Sequence, residues 1–381
     1  MNSILLVPRE QVKGEERVAL VPAQVSRYQG LGAEVLVERG AGTSAGFPDT
    51  AYKEAGAQIV ASPDWGKADI VLTVRGLGAD AIKALKKGAA VVGLLSPYAE
   101  DFPEAAYREA GARAFALEKL PRITRAQAMD ALSSQAAVAG YRAALLAAIE
   151  LPRFFPMLTT AAGTVRPARV LVIGAGVAGL QAIATARRLG AIVEGYDVRA
   201  AAREQVESLG ARFVDVGVSA EGEGGYAREL TEEEKAEQAE ALGRHIAQSN
   251  VVITTAAVPG KPAPKIISKK MVEGMAPGSV VVDLAAVSGG NCELTKPGKT
   301  ARHKGVALLG PLNPAADLAG HASELYAQNC YNFVAPWFAD KGTLAIPGDD
   351  EIYQASLVAG ELPPASDSAA DTGEGSEQEA S

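Results

Sequence analysis

Residues 169–199 constrain the fold of this chain more than any other stretch. They read Arg169-Val-Leu-Val-Ile-Gly174-Ala-Gly176-Val-Ala-Gly179, a helix-forming run to Gly190, then Ala191-Ile-Val-Glu-Gly-Tyr-Asp197-Val-Arg199. Apolar β-formers run straight into a G-x-G-x-x-G turn, a helix of the right length follows, and a second apolar run ends in an acid. Each part has a mechanical reason. Gly174 permits the tight turn, Gly176 lets the backbone approach a pyrophosphate, and Gly179 lets helix and strand pack closely. The helix N-terminus offers free N–H groups and the positive end of its dipole to phosphates. Asp197, at the tip of the second strand, is placed to accept from both hydroxyls of an adenosine ribose. A 2′-phosphate there would meet like charge, so the pattern predicts NAD(H) rather than NADP(H). A glycine turn alone is weak evidence; strand, glycines, helix, strand and acid in register are strong.

The rest of the composition sets bounds. At 381 residues the chain has room for two domains. Its 40 glycines and 5% aromatic content suit α/β layers with many tight turns. A net charge of −8 leaves no basic stripe for nucleic acid. Cys292 and Cys330 are too few for a disulfide framework and fit a reducing compartment. The start lacks a signal-peptide pattern, and no apolar run approaches the roughly 18 residues that span a bilayer. A soluble, cytoplasmic protein is expected, with docking on a membrane partner left open.

In chain order, short apolar runs at 4–7, 34–37, 70–74, 90–94 and 113–116 alternate with helical patterns at 22–30, 49–56, 80–86 and 103–111. That alternation predicts a largely parallel sheet covered on both faces. From 125 to 150 an alanine-rich pattern predicts one long connecting helix opening after Thr124, a plausible N-cap. A proline-containing link at 151–167 follows. Six strands are then expected at 170–173, 192–196, 212–214, 251–255, 280–284 and 306–309, matching a doubly wound dinucleotide fold. A glycine-rich, charged insertion at 219–230 with Tyr226 as its only large ring reads as a lid or as a plain exposed loop. A helical middle at 322–333 returns toward the first domain, and 362–381, with five acids and no Lys or Arg, reads as a disordered tail. The fold class is therefore α/β: two Rossmann-like doubly wound parallel-sheet domains joined by long helices, with the NAD cleft between them. The expected domains are 1–132 plus 319–360, then 133–318, with 361–381 as the acidic tail.

Proton-transfer machinery is sparse. His245, His303 and His321 fall in helical or charged stretches and read as structural or exposed. No zinc-type spacing, G-x-S-x-G elbow or Walker loop is present, so no metal is expected. One polar cluster stands out, Pro121-Arg122-Ile-Thr124-Arg125-Ala-Gln127-Ala-Met-Asp130-Ala-Leu-Ser133-Ser134-Gln135. At helical spacing Gln127, Asp130 and Ser134 share one face, with Ser133 beside it. A bland helix surface would look the same; position at a domain junction favours a functional role.

These stretches, with Gly224-Gly-Tyr226, Thr254-Thr-Ala-Ala-Val-Pro259-Gly-Lys261-Pro-Ala-Pro264 and Val280-Val-Val-Asp283-Leu-Ala-Ala-Val-Ser-Gly289-Gly-Asn291-Cys292, resemble one family. It is the NAD(H)-binding alpha subunit of the proton-translocating, Re/Si-specific NAD(P) transhydrogenase, with alanine dehydrogenase as its relative. The likeness runs to about Phe338. It implies that Gly174, Gly176, Val177 and Gly179 carry the pyrophosphate, with Asp197, Val198 and Arg199 around the adenosine. Arg122, Thr124, Arg125, Gln127, Asp130 and Ser133 would hold the nicotinamide end, with Gln127, Asp130 and Arg122 nearest the chemistry. Tyr226 and Gly225 would form a mobile lid, and Gln238 and Ala257 would add nucleotide contacts.

Where alanine dehydrogenase resemblance places a lysine, a histidine and an aspartate, this chain has Arg75, Ser96 and Val287. Arginine is a poor proton acceptor, and serine and valine replace neither of the others. Arg17, at the carboxylate-facing position, is retained. The expectation is hydride transfer between NADH here and NADP(H) on a partner subunit, with proton movement in membrane-spanning partners. The resemblance also implies a homodimer lying peripherally on the inner face of the cell membrane. A stand-alone amino-acid dehydrogenase and a non-catalytic NAD-sensing module are the competing readings.

Overall fold

The computed structural model describes residues 2–216, 231–257, 260–338 and 343–363. They form two compact units. The first comprises the described residues of Met1–Gln11, Val18–Ala131 and Tyr326–Ser381, the second those of Val12–Arg17 and Leu132–Leu325.

In the first unit, strands β1 (Ser3–Val7), β2 (Ala33–Glu38), β3 (Gln58–Val60), β4 (Ile70–Arg75), β5 (Ala90–Leu94) and β6 (Arg113–Ala116) alternate with helices. The sheet runs β3-β2-β1-β4-β5-β6, all parallel, and Leu357–Ala359 adds an antiparallel edge beside β6. Central β4 and β5 are buried almost throughout, as strands covered on both faces must be. Leu6, Val71, Val91 and Ala114 pack against Ile82 and Tyr107 of the helices Ala79–Lys83 and Glu104–Ala110. Around Phe115, the rings of Phe333, Trp337 and Tyr353 lock the returning chain to the sheet, with Phe333 and Tyr353 centroids 5.1 Å apart.

In the second unit a hairpin, β7 (Leu158–Thr160) and β8 (Gly163–Val165), precedes the main sheet. That sheet contains β9 (Arg169–Ile173), β10 (Ile192–Tyr196), β11 (Arg212–Phe213), β12 (Val251–Thr254), β13 (Val280–Asp283), β14 (Thr300–His303) and β15 (Val306–Leu309). Its order is β11-β10-β9-β12-β13-β15-β14, parallel except for β14. Without β14 this is the doubly wound order whose ligands lie at the carboxyl ends of the strands, and the first unit repeats it. The expected α/β class with two parallel sheets is what the chain adopts.

Several expectations change. The predicted helix over 125–150 is two elements: a 3-10 helix Thr124–Met129 and the α-helix Ala131–Glu150. Asp130, with ψ 87°, breaks them, and as an aspartate just before a helix it stands where that residue is favoured. Thr124 opens the 3-10 turn and caps nothing; the shared helical face of Gln127, Asp130 and Ser134 therefore does not exist. The link at 151–167 contains the β7–β8 hairpin. The charged stretch around His303 contains the edge strand β14, with Arg302 exposed and His303 Nε2 2.8 Å from a Glu273 carboxylate oxygen. The insertion at 219–230 and the acidic tail beyond 363 lie outside the described residues.

Candidate functional site

The glycine turn leaves β9 and enters the helix Val177–Arg188. Gly174 has a φ of 96°, and a Cβ there would fall 2.6 Å from Thr255 Oγ1. That hydroxyl donates to the Gly174 carbonyl at 3.0 Å, tying the turn to the end of β12. A Cβ on Gly179 would lie 1.7 Å from the same carbonyl oxygen. Gly176, the N-cap residue, meets nothing within 4 Å. Glycine is therefore not required there by the protein's own atoms. Open space over backbone at a helix N-terminus is what a pyrophosphate needs, so the residues fit the expected nucleotide. Gly140, on the helix Ala131–Glu150, presses onto the first turn from behind: a Cβ would fall 2.0 Å from Ala178 O.

Asp197 follows β10, half-buried. Its Oδ2 accepts from Ala175 N at 2.7 Å and from Arg199 Nη2 at 3.0 Å. Its Oδ1 accepts from Arg199 N and Nε, both at 2.9 Å. Burial alone would raise this carboxyl. The Arg199 side chain and the two backbone N–H groups outweigh burial and hold it below the usual carboxylate value. Val198, partly buried, packs into the core beneath.

The neighbouring strand ends form a polar frame that the fingerprint does not announce. Asp283, fully buried at the end of β13, accepts from Thr254 Oγ1 (3.1 Å), Ala285 N (3.0 Å), Cys292 N (3.0 Å) and Thr295 Oγ1 (2.7 Å). Asn291, also fully buried, donates to Ala256 O (2.7 Å) and Pro264 O (2.9 Å) and accepts from Ala256 N (3.1 Å). It thereby holds the loop after β12, on which Ala257 is exposed. Thr255, Asp283 and Asn291 have no assigned role in the fingerprint; the available signal was polar residues at the carboxyl ends of strands that are otherwise apolar.

Of the remaining expected residues, Arg122, Thr124, Arg125 and Gln127 are exposed on or beside the 3-10 turn of the first unit. Arg125 grips Asp350 with a two-pronged contact at 2.5 and 3.0 Å. Asp130 is half-buried, and Ser133 lies in the first turn of Ala131–Glu150, in the second unit. Gln238 belongs to the helix Glu232–Gln248, but its side chain, like Gly225 and Tyr226 altogether, lies outside the described residues. Arg17 is buried and committed: Nε and Nη2 bind Glu15 at 2.7 and 2.6 Å, and Nη1 donates to Gln135 Oε1 at 2.8 Å. Arg75 closes β4 and Ser96 follows β5. Ser96 has a φ of 57°, and its N–H donates to Glu118 at 2.7 Å. Burial raises the Glu118 carboxyl, only partly countered by the N–H groups of Ser96 and Leu95. Val287 is two-thirds exposed.

Strand order, glycine turn and acid at the second strand's tip define the class: a two-unit doubly wound protein carrying one dinucleotide fingerprint. Residues 6–139 match the N-terminal domain and residues 143–361 the C-terminal domain of alanine dehydrogenase/PNT, and the chain belongs to that family. It is 46% identical over 366 residues to an NAD(P) transhydrogenase subunit alpha chain of Rhodospirillum rubrum, covering 93% of this chain and 95% of the relative. Alanine dehydrogenase of Halomonas elongata is 30% identical over 362 residues, covering 93% of this chain and 92% of that protein. The crystal structure of transhydrogenase from Sinorhizobium meliloti superimposes with a TM-score of 0.86 at 44% identity, covering 94% of this chain and 99% of that one.

Proposed function

We propose that this chain is the NAD(H)-binding alpha subunit of a proton-translocating NAD(P) transhydrogenase of the Re/Si-specific type. In this reading it exchanges hydride directly with NADP(H) held on a partner subunit. The 46% identity to a transhydrogenase alpha subunit along almost both full lengths carries the reading. The bound nicotinamide supplies the hydride chemistry. The chain's own residues bind and orient: Gly174, Gly176, Val177 and Gly179 at the pyrophosphate, and Asp197, Val198, Gln238 and Ala257 toward the adenosine, with Arg199 beside them held on the Asp197 carboxylate. Arg122, Thr124, Arg125, Gln127, Asp130 and Ser133 hold the nicotinamide end, and Gly225 and Tyr226 belong to the same proposed nucleotide-binding set. Direct transfer needs no acid or base, only two rings held about 3–3.5 Å apart with water excluded. Arg75, Ser96 and Val287 in place of proton-handling side chains agree with that requirement and disfavour an alanine-type dehydrogenase.

No helix among the described residues is long and apolar enough to cross a membrane. In the reading that the relative's subunit name supports, proton movement belongs to membrane-spanning partner subunits, with this chain held peripherally on the cytoplasmic side. The hairpin β7–β8 is exposed at all six positions, and Phe154, Met157, Leu158 and Val165 present apolar surface around it. A two-stranded ribbon of this kind is marginal alone. A second copy is the proposed cover, giving a homodimer that light scattering would report and a hairpin deletion would convert to monomer.

The test of the main reading mixes the full chain with an NADP(H)-loaded domain of the partner and follows reduction of an NAD analogue by NADPH. Transfer only in the mixture is expected. NADH binding without transfer would move the reading to a sensing module, and alanine oxidation with NAD alone to a dehydrogenase.

A further inference from the structure

The Asp197 carboxylate has about four lone-pair sites, and all four are taken by Ala175 N and three Arg199 donors. Two of those bonds, from Arg199 Nε and Nη2, come from a guanidinium whose side chain is 39% exposed, whereas the Asp197 side chain is 7% exposed. A ribose diol therefore cannot use this carboxylate until the arginine side chain lets go, and the arginine has solvent into which to swing.

Resting on the NAD(H) reading above, we propose that Arg199 determines nucleotide specificity in the adenosine subsite. It is a built-in occupant of Asp197 that ribose hydroxyls displace, and a latent receptor for a 2′-phosphate that Asp197 keeps engaged. The paired charges cancel locally, so repulsion of a 2′-phosphate by a bare carboxylate is only part of the discrimination. The larger part is that the one fork shaped for a phosphate is already turned onto a carboxylate. Arg203, the nearest basic residue along the chain, is likewise committed, to Asp215 at 2.5 Å.

The two residues then have opposite and separable effects. Asp197→Asn keeps the shape, loses the charge and frees the guanidinium. Arg199→Met keeps the length and frees the carboxylate. The experiment titrates NADH and NADPH into the full chain and into both single variants and the double variant, following intrinsic or nucleotide fluorescence, with thermal melting to establish folding. NADPH affinity is expected to rise roughly tenfold or more in Asp197→Asn, as one charge-assisted fork is released, while NADH affinity falls by a similar factor. Arg199→Met should bind NADH several-fold more tightly than the parent and NADPH more weakly, and the double variant should lose the NADPH gain. A purely structural arginine would weaken both nucleotides together.

Two outcomes overturn the proposal: no NADPH gain in a folded Asp197→Asn, or an Arg199→Met that loses NADH and NADPH affinity in parallel. Should Asp197→Asn unfold, Arg199→Lys, which removes the fork and keeps the charge, must still tighten NADH binding relative to the parent. A parent chain that binds neither nucleotide refutes the NAD(H) reading itself, and is told apart by that first titration.

Discussion

The carbonyl oxygen of Ala178 stands 2.0 Å from where a Cβ on Gly140 would be, so the helix Ala131–Glu150 and the fingerprint helix touch backbone to backbone. Even alanine at 140 has to push the two helices apart. Ala178 lies inside the turn Gly174–Gly179, so the displacement falls on that turn. Gly140→Ala is expected to cost about 1–3 kcal/mol of stability, as overpacking does. It should also weaken NADH binding, because relief of the clash shifts the phosphate cradle. Urea unfolding and an NADH titration check this; unchanged values in both would show that the close approach is dispensable.

Asp283 serves four donors from a fully buried position at the end of β13. Asp283→Ala leaves them unanswered and should cost about 3 kcal/mol or more, since each stranded donor forfeits its desolvation. Asp283→Asn keeps the volume but turns an amide N–H₂ toward donors, and should fall between parent and alanine. Denaturant midpoints of the three proteins, with the slope held common, give the ranking; an asparagine variant as stable as the parent would show that charge is not what the frame uses.

The frame around Asp283 and the contact at Gly140 mark where sequence reasoning stops. Strands β4, β5 and β9 were legible because buried parallel strands are largely continuous apolar runs, β10 because the fingerprint calls for a second strand ending in an acid, and Gly174 and Gly179 because each answers a local steric demand. The hairpin β7–β8 and the edge strand β14 were not, because exposed three- and four-residue strands carry little pattern. The helix break at Asp130 was masked by helix-forming neighbours on both sides. Gly140 reads as a weak spot in a helix until the partner backbone is known, and the Glu15 carboxylate that Arg17 grips carries no signal in the sequence.

Asp197 gives the acid limb of stability a residue-level source. Its folded pKa lies below the ordinary 3.8, so the charged form is favoured by folding. A depressed carboxyl stabilises fully above its unfolded value, and the contribution disappears as pH falls through the folded one. Asp350, gripped by Arg125, shifts in the same direction. The stability gap between the parent and Asp197→Asn should therefore be constant near neutrality and shrink below about pH 4. Unfolding free energies measured across that range decide it. A gap that widens on acidification would mean the carboxyl is raised rather than lowered, and that the Arg199 contact does not outweigh burial.

Gln127 tests the division between binding and chemistry. It is exposed on the turn Thr124–Met129, with no core position to disturb, so Gln127→Asn should leave folding within about 0.5 kcal/mol of the parent. The substitution withdraws the same amide by one methylene. If the residue orients the nicotinamide against an incoming second ring, NADH affinity should change little while hydride transfer falls by about a hundredfold, since a displacement near 1 Å is enough to spoil a near-attack geometry. Stopped-flow transfer in the reconstituted mixture, beside an NADH titration, separates the two. Equal losses in affinity and rate would make Gln127 an ordinary binding contact. An undiminished rate would remove it from the site, and the polar run from Arg122 to Ser133 would then be a solvated surface.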